Sequence, residues 1–373
     1  MGYQAKHIPF EALNGWAADD HQQALQAFAA LSGARKQTPT TRALGIDGAA
    51  LRDLAKAASA LAGCDTQTAK AFFETHFQPV VYTDTSKSTD NDSVYRGFLT
   101  GYFEPVVRAS RTKTDDFPEP IYRRPPDLID LTEDNRPATL PADMRFGRRM
   151  PDGSIGLYHD RDAINAGALE GGGLELFYVQ DRVTGFFIHV QGGAKLVFED
   201  GSTQRITFAA KAGHDYTSLG AVLCRLLDKD PATMTADFLA DWMRSNPDRL
   251  DWFLAHNRSY IFFEEENQSA ADEGHVAAAK LPLIAGRSLA VDRRLHTFGT
   301  PIFVETKEPL PRQDERFQRL MVAHDTGSII QGVQRGDYFA GSGEDAGWIA
   351  GRMRHPCAMT VLKPRIAGTT AGG

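Results

Sequence analysis

The chain has 373 residues, 42% of them hydrophobic, 24% charged and 10% aromatic, which is the composition of a soluble globular protein and a length that favours two domains. With 41 basic against 48 acidic residues the formal charge is −7, and no block of five or more basic residues occurs, which argues against nucleic acid as a partner. No run of 18 apolar residues is present, so the sequence predicts no membrane-spanning helix.

The amino-terminal residues, MGYQAKHIPF, lack the basic-then-apolar pattern of a signal peptide. We therefore expect either a cytosolic protein or one whose leader has been removed. Cys64, Cys224 and Cys357 are far apart and form no zinc-ligand spacing, so buried thiols fit better than a disulfide framework. No metal or cofactor is expected.

Helices and strands alternate in blocks along the chain. Apolar residues at helical spacing predict helices at about 19–33, 47–63 and 66–77, and strand-like runs follow from Pro79 to about residue 110. A proline-rich passage (118–151) indicates a crossover into a second unit. Residues 170–210 read as a β-meander, with Asp200-Gly201 as a hairpin turn. Helices are predicted at 216–228, at 235–244 and from Pro247, and strands resume at residue 259.

The carboxyl-terminal stretch LMVAHDTGSIIQGVQRGDYFAGSGEDAGWIAGRM combines acids with many glycines. Asp325 and Asp337 lie twelve residues apart, and Asp292 precedes them; each follows a short apolar or turn-like run. Acids at strand ends can converge in a closed barrel, but each alone is more often a turn residue. Neighbouring aromatic residues suit a sugar-binding site and equally suit a core. The sequence contains no GxSxG, P-loop or HExxH motif.

Several segments resemble one known family. VDRRLHTFGTPIFVET, RLMVAHDTGSIIQG and RGDYFAGSGEDAGWIAGRM resemble the 3D domain, named for three aspartates, of the membrane-bound lytic murein transglycosylase A (MltA) family. Upstream, FLTGYFEP and FFIHVQGGAKLVF resemble its substrate-cleft segments, and NRSYIFF resembles the strand that re-enters its first domain. The matches keep their order from about residue 95 to 364.

The resemblance implies a mainly β fold with peripheral helices. We expect a double-psi β-barrel domain (residues 1–106 and 257–373, with the 3D region at about 281–364) and an inserted β-barrel domain (107–256), with a groove between them for a glycan strand. The family cleaves the β-1,4 bond between N-acetylmuramic acid and N-acetylglucosamine in peptidoglycan and leaves a 1,6-anhydro sugar.

The resemblance also assigns residues. Asp337 would be a single catalytic acid that later serves as the base, with Asp325 and Asp292 as supporting acids, and Asp337 should be partly buried near Asp325 to keep its proton. Substrate-binding residues would be Thr100, Gly101, Tyr102, Gln191, Gly192, Lys195, Tyr338 and Gly341. The chain departs from the family at QGGAK, which lacks a serine and has lysine for arginine, and at DTGSIIQG, which has Gln331 where lysine is common.

Two other functions stay open at this point. A two-carboxylate polysaccharide hydrolase could use the same barrel, and an expansin-like protein could bind polysaccharide without cleaving it. A peptidoglycan substrate implies a periplasmic protein, outer-membrane associated in its precursor, and we expect a monomer.

Overall fold

The computed structural model describes residues 2–33, 41–85, 95–266, 274–309 and 316–365. Within these ranges the α-helices are α1 (His21–Ala29), α2 (Gly48–Ser59), α3 (Thr66–His76), α4 (Arg161–Asn165), α5 (Arg182–Gln191), α6 (Leu219–Leu227), α7 (Ala236–Ser245), α8 (Leu250–Ala255) and α9 (Glu344–Arg352). The first strands are β1 (Tyr3–His7), β2 (Phe77–Asp84), β3 (Gly97–Glu104), β4 (Val106–Ser110), β5 (Glu119–Tyr122), β6 (Leu128–Asp130), β7 (Phe146–Arg149) and β8 (Ile155–Gly156). They are followed by β9 (Glu175–Val179), β10 (Gly193–Val197), β11 (Thr203–Lys211), β12 (Ile261–Glu265), β13 (Ser288–Val291), β14 (Pro301–Pro309), β15 (Arg316–Asp325), β16 (Arg335–Ser342) and β17 (Arg354–Pro364).

The chain divides into two compact units, Met1–Phe103 with Ala270–Gly373, and Glu104–Ser269. These limits differ from the expected domains because β12, which is expected in the first domain, pairs antiparallel with β11, with Phe208 opposite Phe263. The strand therefore belongs to the second unit. Among the described residues, no helix is both long and apolar enough to cross a bilayer.

The first unit is built on a closed ring of six strands. The ring runs β17-β14-β15-β13-β16-β3, and β3 pairs back onto β17, with Thr100 opposite Arg354. The β13–β15 pair is parallel, while β13–β16 and β14–β15 are antiparallel. This mixed, closed barrel is the double-psi architecture that was expected. β1 and β2 extend the sheet beside β17.

The helices of the first unit bury one face against this barrel. α1, α2 and α3 begin where Asp20, Asp47 and Asp65 accept hydrogen bonds from backbone amides of the first helical turn. Phe28 and Phe73 of α1 and α3 are fully buried in the main core with the barrel strands. The three predicted helices are therefore present, with ends that differ by a few residues.

The second unit contains a six-stranded sheet in the order β12-β11-β10-β4-β9-β5. An isolated bridge between Arg123 and Phe263 joins its two edges, so this sheet also closes. A smaller sheet of β6, β7 and β8 comes from the proline-rich passage. The Asp200-Gly201 turn joins β10 to β11 as predicted, with Gly201 at φ +79°.

One predicted strand is a helix. The run VTGFFIHVQ, predicted as part of a β-meander, forms α5, because Asp181 accepts a hydrogen bond from the amide of Thr184 at 2.6 Å and Gly192 ends the helix at φ +81°. Its β-branched and aromatic residues favour strands locally. Burial of Val183 and Phe186 against α6, α7 and α8 overrides that preference.

Candidate active site

The candidate site lies in the first unit, on one face of the barrel strands around Ala290. Side chains alternate between the two faces of a strand. On β13, Leu289 and Val291 enter the main core, whereas Ala290 packs with Tyr102 and Phe339 in a separate small cluster. Ala290 lies opposite Asp337 of the antiparallel neighbour β16, so the two side chains share this second face.

A bulge in β15 places Asp325 on the same face. Ser288 pairs with Val322 and Leu289 with Ala323, but Ala290 pairs with Asp325, which leaves His324 as an extra residue. Asp325 and Asp337 therefore flank Ala290 from the two sides. Two strand spacings put their Cα atoms about 10 Å apart, with the buried side chain of Ala290 between them.

Asp337 is partly buried, and one of its carboxyl oxygens, Oδ1, accepts a hydrogen bond. Its Oδ1 accepts a hydrogen bond from Oγ1 of Thr100 at 2.5 Å, and that hydroxyl accepts one from Nη2 of Arg335 at 2.7 Å. Burial raises the pKa of Asp337 to about 6, and the charge of Asp325 adds to the rise, although Arg335 and Thr100 oppose it. The group can thus hold a proton close to neutral pH.

Asp325 is held by donors on both oxygens. The amide of Ala278 donates to Oδ1 at 3.0 Å, and the Tyr102 hydroxyl donates to Oδ2 at 3.2 Å. Burial raises the pKa of Asp325, while these donors and the amide of Thr326 oppose the rise. The Tyr102 ring also packs at a tilt against the Phe339 ring, with ring centres 5.3 Å apart. Hydrogen bonds therefore hold the Asp325 carboxyl in place, and its charge raises the pKa of Asp337.

Asp292, the third predicted acid, has a structural role. Its carboxylate accepts from the Arg294 amide and guanidinium, at 2.7 to 3.0 Å, and from the Gly332 amide at 2.9 Å. Burial works against ionisation, but these bonds hold the pKa of Asp292 below its ordinary value. The side chain fastens the turn after β13 to the loop before β16. It is an organiser of these loops and does not join the Asp325–Asp337 pair.

Two residues predicted to contact sugar have other surroundings. Tyr338 lies on the opposite face of β16 from Asp337. There its ring packs against Phe317, with ring centres 5.2 Å apart. The structure therefore does not place the Tyr338 side chain beside the acid. A Cβ on Gly101 would lie 2.8 Å from Cα of Ala350, so this glycine lets α9 approach β3 closely.

Gly341 shares the face of Asp337 further along β16 and has φ +117°, a conformation that glycine tolerates. Gln191, Gly192 and Lys195 belong to the second unit. They lie at the end of α5, at its left-handed cap and on β10, where the Lys195 amide donates to the carbonyl of Pro105 at 2.8 Å.

Sequence reasoning missed Arg335 and Ala290. Arg335 stands two residues before Asp337, a spacing that places both side chains on one face of a strand, so the signal was present in RGDYF. Ala290 could not be found without the strand register. Among the described residues there is no group of three or more His, Cys, Asp or Glu side chains that could hold a metal ion.

Two family profiles match the chain: the MltA specific insert domain over residues 98–264 and the 3D domain over residues 287–363. The crystal structure of a membrane-bound lytic murein transglycosylase from Agrobacterium tumefaciens is 41% identical, covers 98% of each chain and has a TM-score of 0.88. That of MltA from Neisseria gonorrhoeae in a monoclinic form is 30% identical, covers 99% of this chain and 94% of the other, and has a TM-score of 0.78.

The curated membrane-bound lytic murein transglycosylase A of Escherichia coli K12 is 30% identical over 272 residues, which are 71% of this chain and 65% of that protein. The matched part thus spans slightly less than two thirds of that relative's length.

Proposed function

The chain belongs to the membrane-bound lytic murein transglycosylase A family, and from that premise we propose that it is a peptidoglycan lytic transglycosylase. It would cleave the β-1,4 bond between N-acetylmuramic acid and N-acetylglucosamine and leave a 1,6-anhydromuramyl end. The observation that carries the proposal is one carboxyl, Asp337, with a pKa raised to about 6 on the face of the barrel that it shares with Asp325.

Asp337 performs both proton transfers in this proposal. Protonated Asp337 gives its proton to the glycosidic oxygen as the bond from that oxygen to the anomeric carbon breaks. The resulting carboxylate then takes the proton of the muramic 6-hydroxyl while its oxygen bonds to the same anomeric carbon. The proton count balances, no water is consumed, and the acid is regenerated.

Asp325 supports this acid electrostatically. A two-carboxylate hydrolase would need a second carboxylate free to act as base or nucleophile. Both Asp325 oxygens instead accept hydrogen bonds, from the Ala278 amide and the Tyr102 hydroxyl, and these donors favour its ionised form. Such a carboxyl is better suited to raising the pKa of Asp337 than to activating water. Asp292 acts as a positioning residue for the adjacent loops.

Glycan contacts are proposed in both units. In the first, Tyr102 and the backbone at Gly341 border the face that carries Asp337; in the second, Gln191, Gly192 and Lys195 would contact sugar. The relatives are named as membrane-bound, so we place the protein in the bacterial envelope, in the periplasm with outer-membrane association. We also propose that it is a monomer.

The test is product analysis on purified peptidoglycan with the wild type and Asp337→Asn. We expect wild type to release anhydromuramyl products detectable by mass spectrometry. Asparagine cannot supply the proton, so Asp337→Asn should lower the rate by about 10²-fold or more. Asp53→Asn, on the exposed face of α2 in the same unit, is the matched control and should keep full activity.

The alternative functions give different results. Reducing ends without anhydro products from wild type would establish hydrolysis and overturn the proposal. Binding of peptidoglycan with no product from wild type, and no effect of Asp337→Asn, would indicate a binding protein.

A further inference from the structure

Arg335 is fixed against β3 on the same face as Asp337. Its Nη2 donates to Oγ1 of Thr100 at 2.7 Å and its Nη1 donates to the carbonyl oxygen of Gly336. Its guanidinium carbon lies 5.8 Å from the centre of the Phe98 ring. These contacts aim one edge of the guanidinium at the Thr100 hydroxyl.

The Thr100 hydroxyl connects Arg335 to the catalytic acid. A guanidinium has donors and no acceptor, so its bond to Thr100 occupies a lone pair of the hydroxyl oxygen. The single hydroxyl hydrogen is left for Oδ1 of Asp337, 2.5 Å away. Within the described ranges, Arg335 and Asp337 are the hydrogen-bond partners that Oγ1 has.

We infer that Arg335 and Thr100 form a relay that keeps Oδ1 of Asp337 as an acceptor and so fixes the transferred proton on Oδ2. If Oδ1 carried the proton, it would have to donate to Thr100, and the threonine hydrogen would lose its acceptor. A partly buried donor without a partner is costly. The inference rests on the proposed function and specifies which oxygen of Asp337 performs it.

The relay makes Thr100 and Arg335 positioning residues with a shared task. Oδ2 gives the proton to the glycosidic oxygen and later receives the proton of the 6-hydroxyl, so the acid and base steps use one oxygen. Both steps then need the carboxyl held in one orientation, which the Thr100 bond provides.

The experiment compares Thr100→Val, Thr100→Ser, Arg335→Met and the double variant Thr100→Val/Arg335→Met. We measure kcat and KM for anhydromuropeptide release across pH, with thermal unfolding as a check of folding. Thr100→Val and Arg335→Met should each lower kcat by about 10- to 100-fold with KM nearly unchanged. Thr100→Ser keeps the hydroxyl and should recover most of the activity. Thr83→Val, on β2 of the same unit, is the matched control.

The double variant distinguishes a relay from two separate roles. At a pH low enough for Asp337 to be fully protonated, Arg335→Met should add little to the loss in the Thr100→Val background, because the relay is already broken. If Arg335→Met lowers kcat equally in both backgrounds, Arg335 acts independently of Thr100 and the inference is wrong.

A readout independent of activity separates this inference from the proposed function. Carbon-13 NMR of labelled aspartate, with the Asp337 signal assigned through Asp337→Asn, follows the titration of that carboxyl directly. Removal of either relay residue should move the Asp337 pKa upward, because both stabilise its ionised form. An unmoved titration in both variants would overturn the relay, whereas a wild type without anhydro products would overturn only the function.

Discussion

At the scale of single residues, Asp337 is suited to catalysis at the expense of stability. Its pKa of about 6 in the folded protein lies above the ordinary value of 3.8. Folding therefore favours the protonated form, and above pH 6 the ionised carboxyl lowers the free energy of unfolding by the full amount of this difference. The difference corresponds to about 3 kcal/mol, which partial exposure of the side chain reduces.

Asp337→Asn should consequently stabilise the protein while it abolishes activity. Asparagine keeps an oxygen for the Thr100 hydroxyl and removes the charge, so we expect a gain of about 1–3 kcal/mol at pH 7.5. The gain should shrink as the pH falls from 6 toward 3.8, because the wild-type carboxyl is then protonated in the folded protein and becomes protonated in the unfolded chain as well. Urea unfolding of both proteins at pH 7.5 and 4.5 measures this, and a variant less stable than wild type at pH 7.5 would contradict it.

Residue identity was easier to predict than side-chain direction. Motif position pointed to Asp337 and Asp325, and the register then placed both beside Ala290. The same motif did not reveal that Tyr338 points the other way, into the core. A one-residue step along a strand reverses the face, so a motif alone cannot separate neighbours.

At the scale of elements, local signals predicted the capped helices and the Asp200-Gly201 hairpin but not α5 or the β15 bulge. The bulge depends on which strand pairs with β15 and where, which no local pattern encodes. It matters because without the extra residue His324 would stand opposite Ala290 in place of Asp325.

The contact between β3 and α9 gives an element-scale prediction. A Cβ on Gly101 would lie 2.8 Å from Cα of Ala350 and 3.2 Å from its carbonyl oxygen, so Gly101→Ala must displace α9. We expect a loss of about 1–3 kcal/mol in the free energy of unfolding, measured with urea.

Gly156→Ala, in β8, where no neighbouring atom lies within 4 Å of the added Cβ, is the control and should change stability little. If Gly101→Ala abolishes activity at unchanged stability, the glycine is needed by substrate and not by α9.

At the scale of the whole molecule, composition and periodicity predicted the change from strands to a second unit and back, whereas the closure of both sheets was expected from the family resemblance alone. Closure needs pairings between distant segments, such as β3 with β17 and Arg123 with Phe263. Such pairings also decided the unit limits, because β12 joins β11. Long-range closure buries groups that their own sequence neighbourhood would leave near solvent.

His296 is one such buried group, and it makes the fold sensitive to acid. Its side chain is 0% exposed, and Nε2 donates to the carbonyl of Val333 at 3.1 Å. Burial lowers its pKa to about 4, although that carbonyl and Asp292 oppose the shift. An ordinary histidine has a pKa of 6.5, so below that pH the unfolded chain binds the proton more readily than the folded protein does.

The stability contributed by neutral His296 is therefore present above pH 6.5 and is lost as the pH falls from 6.5 toward 4. At pH 5 the loss amounts to about 2 kcal/mol. His296→Gln keeps a donor for Val333 but cannot titrate, so its unfolding free energy should fall by about 2 kcal/mol less than that of wild type between pH 7.5 and 5. His256→Gln, at an exposed histidine, is the control. Parallel pH profiles of unfolding free energy for wild type and His296→Gln would show that this buried histidine does not control the acid response. The difference between the two proteins is the test, because Asp337 and Asp325 are present in both. Their raised pKa values make both proteins more stable as the pH falls, which is opposite to the effect of His296.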